Sequence, residues 1–378
     1  MSTYELIGKK IAERYCLIDQ IGKGGMGVVY RAMPFDDPSN YVAIKIIQRN
    51  KTLNYEDVLA FQKEASLMSR LYHQNIIAFH ELGLLDHNNY EGGYYIVMEL
   101  VSGINLKKSI LRDGRKDLPF FFELGLQLAD ALDYTHGKNI IHRDIKPQNI
   151  IVTRMWQDGR GVLFKVLDFG VAKLAETFHV SEEEMKKAGD IAGTPLYMAP
   201  EQTKLINEPI DHRVDLYSLG CVLYETLMGK PPYTAKNRES LERLHVNEKP
   251  ASICDARPDV PQIIEKIVFK LLAKKPDERY QTAFALRADL LKAKAMYKEN
   301  NFYDFELATK DHIEAIASKI PMYGREGQVQ TLIDEYKAVA DPRGRSRICV
   351  VRGSSGIGKT RLLNEFQGYL GQNKIRYI

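Results

Sequence analysis

Between residues 15 and 47 the apolar positions come in short runs split by glycines, with a polar break at 34–40. That pattern predicts three antiparallel strands, the break forming a hairpin insert. Over 56–72 the period changes. Val58, Phe61, Ala65, Met68 and Leu71 fall on one face of a predicted helix. Residues 94–100 read as another strand. Beyond Phe120 the apolar spacing becomes helical over 121–136, 214–228, 261–272 and 283–298. Residues 152–153 and 163–167 predict a hairpin whose loop spans 154–161. A β-rich segment followed by a helical one predicts an α+β chain of two lobes with a cleft between them.

Near Asn300 the pattern shifts again. A helical connector is expected, then a helix over 328–339, a Pro/Gly turn at 341–344, and a buried strand over 347–351. The strand leads into a second Gly-rich run at 353–360. The expected organisation is an N-terminal extension (1–14), a bilobal domain (15–294), a helical connector (295–320) and an incomplete α/β segment (321–378). No internal repeat or low-complexity tract interrupts it.

Composition narrows the class without naming a chemistry. A chain of 378 residues exceeds one typical domain. Apolar residues at 44% and charged residues at 27% are ordinary for soluble protein. Lys+Arg 53 against Asp+Glu 49 leaves +4, so no nucleic-acid partner is expected. Cys16, Cys221, Cys254 and Cys349 are far apart and read as reduced thiols. The first residues lack a basic-then-apolar leader, and no apolar run approaches the ~20 residues of a membrane span. The expected location is cytoplasmic. Oligomeric state leaves no mark in the sequence.

The chemistry is concentrated in a few runs. Residues 141–149, Ile-His-Arg-Asp-Ile-Lys-Pro-Gln-Asn, put an acid, a lysine and an amide carbonyl on one loop. Residues 168–170, Asp-Phe-Gly, add a carboxylate able to hold a metal. Phosphoryl transfer needs the nucleophile placed in line and the phosphate charge neutralised, which these residue types supply. Upstream lie Gly-Lys-Gly-Gly-Met-Gly-Val-Val at 22–29 and Val-Ala-Ile-Lys at 42–45.

In this order the runs resemble the protein-kinase signature set, over about residues 15–294. The spelling of the glycine run is closest to bacterial-type serine/threonine kinases. The resemblance implies the bilobal kinase fold, with ATP and Mg²⁺ as cofactors. The implied reaction is transfer of the γ-phosphate to Ser or Thr hydroxyls of protein substrates in signal transduction. Ile21, Gly22, Lys23, Gly24, Gly25, Met26, Gly27, Val29 and Ala43 are implied nucleotide contacts, with the glycine backbone approaching the phosphates. Met98 would be the gatekeeper, and the main chain at Glu99 and Val101 would meet adenine. Lys45 would bind the α/β-phosphates, with Glu64 as its ion-pair partner.

Asp144 is then the expected catalytic base or substrate-orienting acid, and Lys146 the lysine on the transferring phosphate. Asn149 and Asp168 would ligate Mg²⁺ through oxygen. His142 is expected to pack and hydrogen-bond rather than act as a base. Thr194, in the Gly-Thr-Pro-Leu-Tyr-Met-Ala-Pro-Glu run at 193–201, would lie near Asp144 and Lys146. Glu201 and Arg279 match a buried ion pair, and Asp215 matches the aspartate that braces the catalytic loop. The activation loop departs from the usual pattern. Thr177, Ser181 and Thr194 are its Ser and Thr residues, and Ser181 precedes three glutamates.

The Gly-Ser-Ser-Gly-Ile-Gly-Lys-Thr run at 353–360 satisfies GxxxxGK[ST] after a strand pattern and before a helix pattern. Gly353 and Gly358 would shape a phosphate cradle, Lys359 would reach the β/γ-phosphates and Thr360 would ligate Mg²⁺. With Tyr323-Gly324-Arg325-Glu326 upstream, residues 321–378 resemble the opening of AAA-related and STAND-type P-loop ATPases, without a later Walker B acid. Two rival readings remain: a pseudokinase scaffold, and a regulatory module of a larger signalling ATPase. Lys45, Glu64, Asp144, Asn149 and Asp168 together speak against the first.

Overall fold

A computed structural model describes residues 6–24, 27–48, 69, 71–85, 93–154, 161–167, 195–203, 205–206, 208–311 and 325–340. It also describes residues 349–352, 362–363, 366 and 369–370. The predicted helix over 56–72 lies almost wholly outside these, and Leu71–Tyr72 at its end are not helical.

The first lobe is an antiparallel sheet. Its strands are β1 (Lys10–Ile11), β2 (Tyr15–Gly24), β3 (Gly27–Pro34), β4 (Val42–Gln48), β5 (Phe79–Leu84) and β6 (Gly93–Glu99). Their spatial order is β1-β2-β3-β4-β6-β5. Side chains alternate across β4, so the strand serves two cores. Val42, Ile44 and Ile46 join Leu17, Tyr30 and Val97 on one face. Ala43 and Ile47 join Tyr94, Ile96 and Met98 on the other.

A small sheet, β7 (Ile104–Asn105), β8 (Ile150–Arg154) and β9 (Val162–Val166), opens the second lobe. The rest is helical: α1 (Leu106–Asp113), α2 (Leu118–His136), α3 (Arg213–Met228), α4 (Arg238–Asn247), α5 (Ile253–Ala256), α6 (Gln262–Leu271) and α7 (Ala283–Lys298). Asp117 caps α2 by accepting from the N–H of Phe120, satisfying one of the donors a helix start leaves open. Helix α3 is buried from Val214 to Met228. A helix that is apolar all round belongs at the centre of a lobe, and any charge it carries there must be paired. Helices α2 and α6 pack on it, and α7 packs on α2, in one continuous core.

Residues 75–77 join the two lobes. The N–H of Val166 donates to Asn75 O at 2.8 Å, and the N–H of Ile77 to Val166 O at 3.0 Å. Lys165 on β9 pairs with Glu99 at the end of β6 at 2.8 Å.

Two expectations need correction. Residues 299–310, read as part of a helical connector, are not helical. Asn300 takes φ 48°, a left-handed conformation that ends α7. Of the buried strand expected at 347–351, the described residues 349–351 form none, and Val350 is 67% exposed. A strand is stabilised by its ladder partners, and no described strand pairs with these residues. The helix expected at 328–339 is present as α8 (Glu326–Ala340).

Candidate functional site

The glycine run forms the closing end of the β2–β3 hairpin, paired Gly22↔Val29, Lys23↔Val28 and Gly24↔Gly27. Gly27 sits at φ 139°, and a Cβ there would fall 2.2 Å from Ile46 O. Only glycine fits both the backbone conformation and the approach. Ile21 is exposed. Gly25 and Met26 lie outside the described residues.

Cross-strand pairing gathers the next candidates on one face of the sheet. Val29 opposes Lys45, and Ala43 opposes Met98. Lys45 shares its strand face with Ala43 and Ile47 and is buried, between β3 and β6. Burying an ammonium is costly unless its charge is compensated. Its expected partner Glu64 lies outside the described residues. Glu99 donates its N–H to Ala78 O at 2.8 Å. Its carboxylate accepts from the N–H of Ala78 at 3.1 Å and from Lys165. Val101 follows, half-buried, where the chain crosses between the lobes.

The loop from His142 to Asn149 brings three candidates together. Lys146 Nζ lies 2.8 Å from Asp144 Oδ2. Asn149 Nδ2 donates to Asp144 O at 2.9 Å and to Asp144 Oδ2 at 3.0 Å. One carboxylate oxygen therefore takes a cation and an amide donor, while the group stays partly open to solvent. With both Nδ2 bonds pointing toward Asp144, the planar amide of Asn149 turns its Oδ1 to the other side. That orientation, with an oxygen donor, fits a hard cation. The second oxygen donor, Asp168, lies outside the described residues. Leu167, just before it, is held at both ends: its N–H donates to Asn149 O at 2.8 Å and its carbonyl accepts from His142 Nε2 at 2.7 Å.

That second bond fixes the state of His142. Its Nδ1 accepts from the N–H of Asp144 at 3.2 Å, so Nε2 must carry the proton it gives to Leu167. Both ring nitrogens are committed and the ring is buried. A histidine so placed holds the loop and is not a base.

Beneath the loop, Asp215 of α3 is fully buried. It accepts the N–H of His142 at 2.9 Å, the N–H of Arg143 at 2.7 Å, and His136 Nε2 at 2.9 Å. Burial alone would push its carboxyl up. The His136 hydrogen bond and those from the loop outweigh it and hold the group below its ordinary value. Arg143 takes φ 65° under this constraint.

Past the described break, residues 195–203 return to the same region. Gln202 Nε2 donates to Arg143 O at 3.3 Å. Glu201 receives two bonds from Arg279 at 2.6 and 2.7 Å, both side chains buried. Arg279 spends its remaining donors on the carbonyls of Ala273, Lys274 and Arg213. Thr177, Ser181 and Thr194 lie outside the described residues, as do Gly353, Gly358, Lys359 and Thr360.

Sequence reasoning missed one group here. The Tyr197 hydroxyl donates to the fully buried Glu225 at 2.5 Å, and Lys107 Nζ lies 2.6 Å from the other carboxylate oxygen. Burial, with the Glu225 charge beside it, pushes the Tyr197 phenol far up, so it remains a donor. The available signal was a second carboxylate, besides Asp215, in a helix buried along nearly its whole length.

Residues 15–291 match the protein kinase domain family, and residues 321–378 match the AAA ATPase domain family. The chain is 36% identical over 293 residues to a protein of Clostridium acetobutylicum named a probable serine/threonine-protein kinase, covering 77% of this chain and 42% of that one. It is 35% identical over 284 residues to the serine/threonine-protein kinase PknB of Mycolicibacterium smegmatis, covering 75% and 43%. Over 321 residues it is 32% identical to the serine/threonine-protein kinase pkn3 of Myxococcus xanthus, covering 84% and 56%. It thus spans about half or less of the length of these curated relatives. Among solved structures, Rad53 1–466 in complex with AMP-PNP matches with a TM-score of 0.57 and 25% identity, over 72% of this chain and 64% of that one.

Proposed function

The chain belongs to the protein kinase family, and from that premise we propose that residues 15–294 transfer the γ-phosphate of ATP to Ser or Thr hydroxyls of protein substrates. The observation that carries the reading is the convergence of Lys146 and Asn149 on the Asp144 carboxylate. An acid serving only structure would have no need of a partly exposed face beside a lysine. In this reading Asp144 accepts a hydrogen bond from the acceptor hydroxyl and orients it toward the phosphorus. Lys146 neutralises charge on the transferring group, and Lys45 holds the α/β-phosphates. A bound Mg²⁺ would supply positive charge to offset that of the phosphates. Asn149 and Asp168 are the residues that would hold it. Met98, Ala43 and Val29 offer an apolar surface for the adenine, with the main chain at Glu99 and Val101 beside it.

Residues 321–378 would add a second nucleotide-binding segment through Gly353, Gly358, Lys359 and Thr360. A cytoplasmic setting accords with the absence, among the described residues, of any helix long and apolar enough to cross a membrane. The experiment is an assay with radiolabelled ATP, Mg²⁺ and a basic protein acceptor. Label on Ser or Thr, lost in Asp144→Asn, supports the reading. ATP binding with no transfer under any acceptor would make the chain a pseudokinase scaffold.

A further inference from the structure

The kinase family match ends at residue 291, yet the polypeptide does not leave the helical lobe there. After α7 it turns at Asn300 and returns to the start of that helix, held by polar contacts to α6 and α7 and by apolar packing. Lys266 pairs with Asp304. Lys292 Nζ lies 4.0 Å from the centre of the Phe305 ring. The N–H of Ala308 donates to Asp289 at 2.7 Å, and Ala308 takes φ 63° to do so. Phe302, Phe305 and Leu307 pack against the lobe's core.

The run finishes at Asp311, which is buried. Its Oδ1 accepts the N–H and the hydroxyl of Thr282, each at 2.9 Å, and its Oδ2 accepts the N–H of Gln281 at 2.9 Å. Thr282 is itself the N-cap of α7. Asp311 thus places a carboxylate where the helix start leaves open donors and positive potential.

Gln281 is also tied to the catalytic loop. Its carbonyl accepts from His212 Nε2 at 2.8 Å, and its Oε1 accepts from Arg213 Nη1 at 2.8 Å. The His212 ring lies 5.1 Å from that of His136, whose Nε2 meets Asp215 at 2.9 Å. Asp215 in turn holds the N–H groups of His142 and Arg143. Arg279, paired with Glu201, donates to Arg213 O.

We propose that residues 300–311 are a clasp of the kinase domain, with Asp311 as a positioning residue that couples the chain leading to the AAA ATPase-like segment to the catalytic loop. Seated, the clasp fixes Gln281 and, through His212 and His136, the orientation of Asp215. Drawn out, it frees the start of α7 and loosens the brace beneath His142 and Arg143. Because the second family match begins at residue 321, soon after Asp311 in sequence, a movement of that segment would act on the clasp first. The inference rests on the kinase reading for its consequence but not for its test, since contiguity alone does not demonstrate coupling.

The test compares the 378-residue chain with its Asp311→Asn variant by hydrogen–deuterium exchange and by phosphotransfer. Losing the Gln281 contact should speed exchange at 140–149 and 212–217 by about five-fold, leaving α4 unchanged. kcat should fall about three-fold with KM for ATP unchanged. Asp304→Lys removes an exposed ion pair that cannot threaten folding, and should give about a two-fold change in the same segments. It decides the matter if Asp311→Asn does not fold. Exchange at 140–149 that is unaltered, or that rises equally in α4, overturns the clasp. An inactive parent chain would overturn the kinase reading, while exchange would still judge the clasp.

Discussion

The N–H of Arg143 lies 2.7 Å from Oδ1 of Asp215, and that bond holds a non-glycine residue at φ 65°. A side-chain-bearing residue in the left-handed region costs roughly 1–2 kcal/mol, so it stays there only if its surroundings require it. What the conformation achieves is direction: it turns the chain so that Asp144 follows with Lys146 and Asn149 beside it. Asp215→Asn removes the charge that two backbone donors and His136 share. kcat should fall about ten- to a hundred-fold, because small misplacement of a catalytic group is expensive. Steady-state kinetics beside a circular dichroism spectrum of unchanged shape would check this.

The Glu201–Arg279 pair should behave differently. Both side chains are buried, and Arg279 also holds three carbonyls. Breaking one partner strands a buried charge, so Arg279→Met should cost about 3–5 kcal/mol. Replacing both, Glu201→Met with Arg279→Leu, should recover part of that loss. Chemical denaturation of the two single variants and the double variant measures the coupling.

The pH dependence follows from Asp215. Its folded-state carboxyl titrates below its ordinary value of 3.8. A depressed carboxyl contributes stability that is fully present above its unfolded value and is lost as pH falls through the folded one. The brace should therefore hold from neutrality down to about pH 4 and fail below it. Asp215→Asn should flatten this part of the stability–pH curve. A thermal-denaturation series from pH 7 to pH 3 tests the sign.

Lys107→Met leaves the buried Glu225 carboxylate with Tyr197 but without its cation. Tyr197 belongs to the segment that reaches back toward Arg143 through Gln202. The expected result is a KM for the protein acceptor raised about three- to ten-fold, with KM for ATP unchanged. Equal changes in both constants would place Lys107 outside acceptor positioning.

Much of the fold was legible because its periods are regular. The helix expected at 283–298 is present as α7, and the hairpin before Asp168 is the β8–β9 pair. Strand β5 was missed because, at a sheet edge, its residues are all half-buried or exposed and show no regular alternation. The clasp was missed because Phe302, Phe305 and Leu307 follow neither the helical nor the strand period; they are held by particular partners. Among the candidate site residues, Lys45, Asp144, Lys146 and Asn149 could be named because their runs resemble the kinase signature, and the structure brings the last three together. Lys107 and Glu225 could not, since a lysine and a glutamate far apart in sequence carry no sign that they meet.

The most direct test is phosphotransfer by Asp144→Asn, measured beside ATP affinity on the same preparation. In the proposed reading the Asp144 carboxylate meets the acceptor hydroxyl and not the nucleotide. Turnover should therefore fall by about two to three orders of magnitude while the Kd for ATP changes little. Near-parental turnover in Asp144→Asn would contradict the assignment of this loop as the catalytic centre.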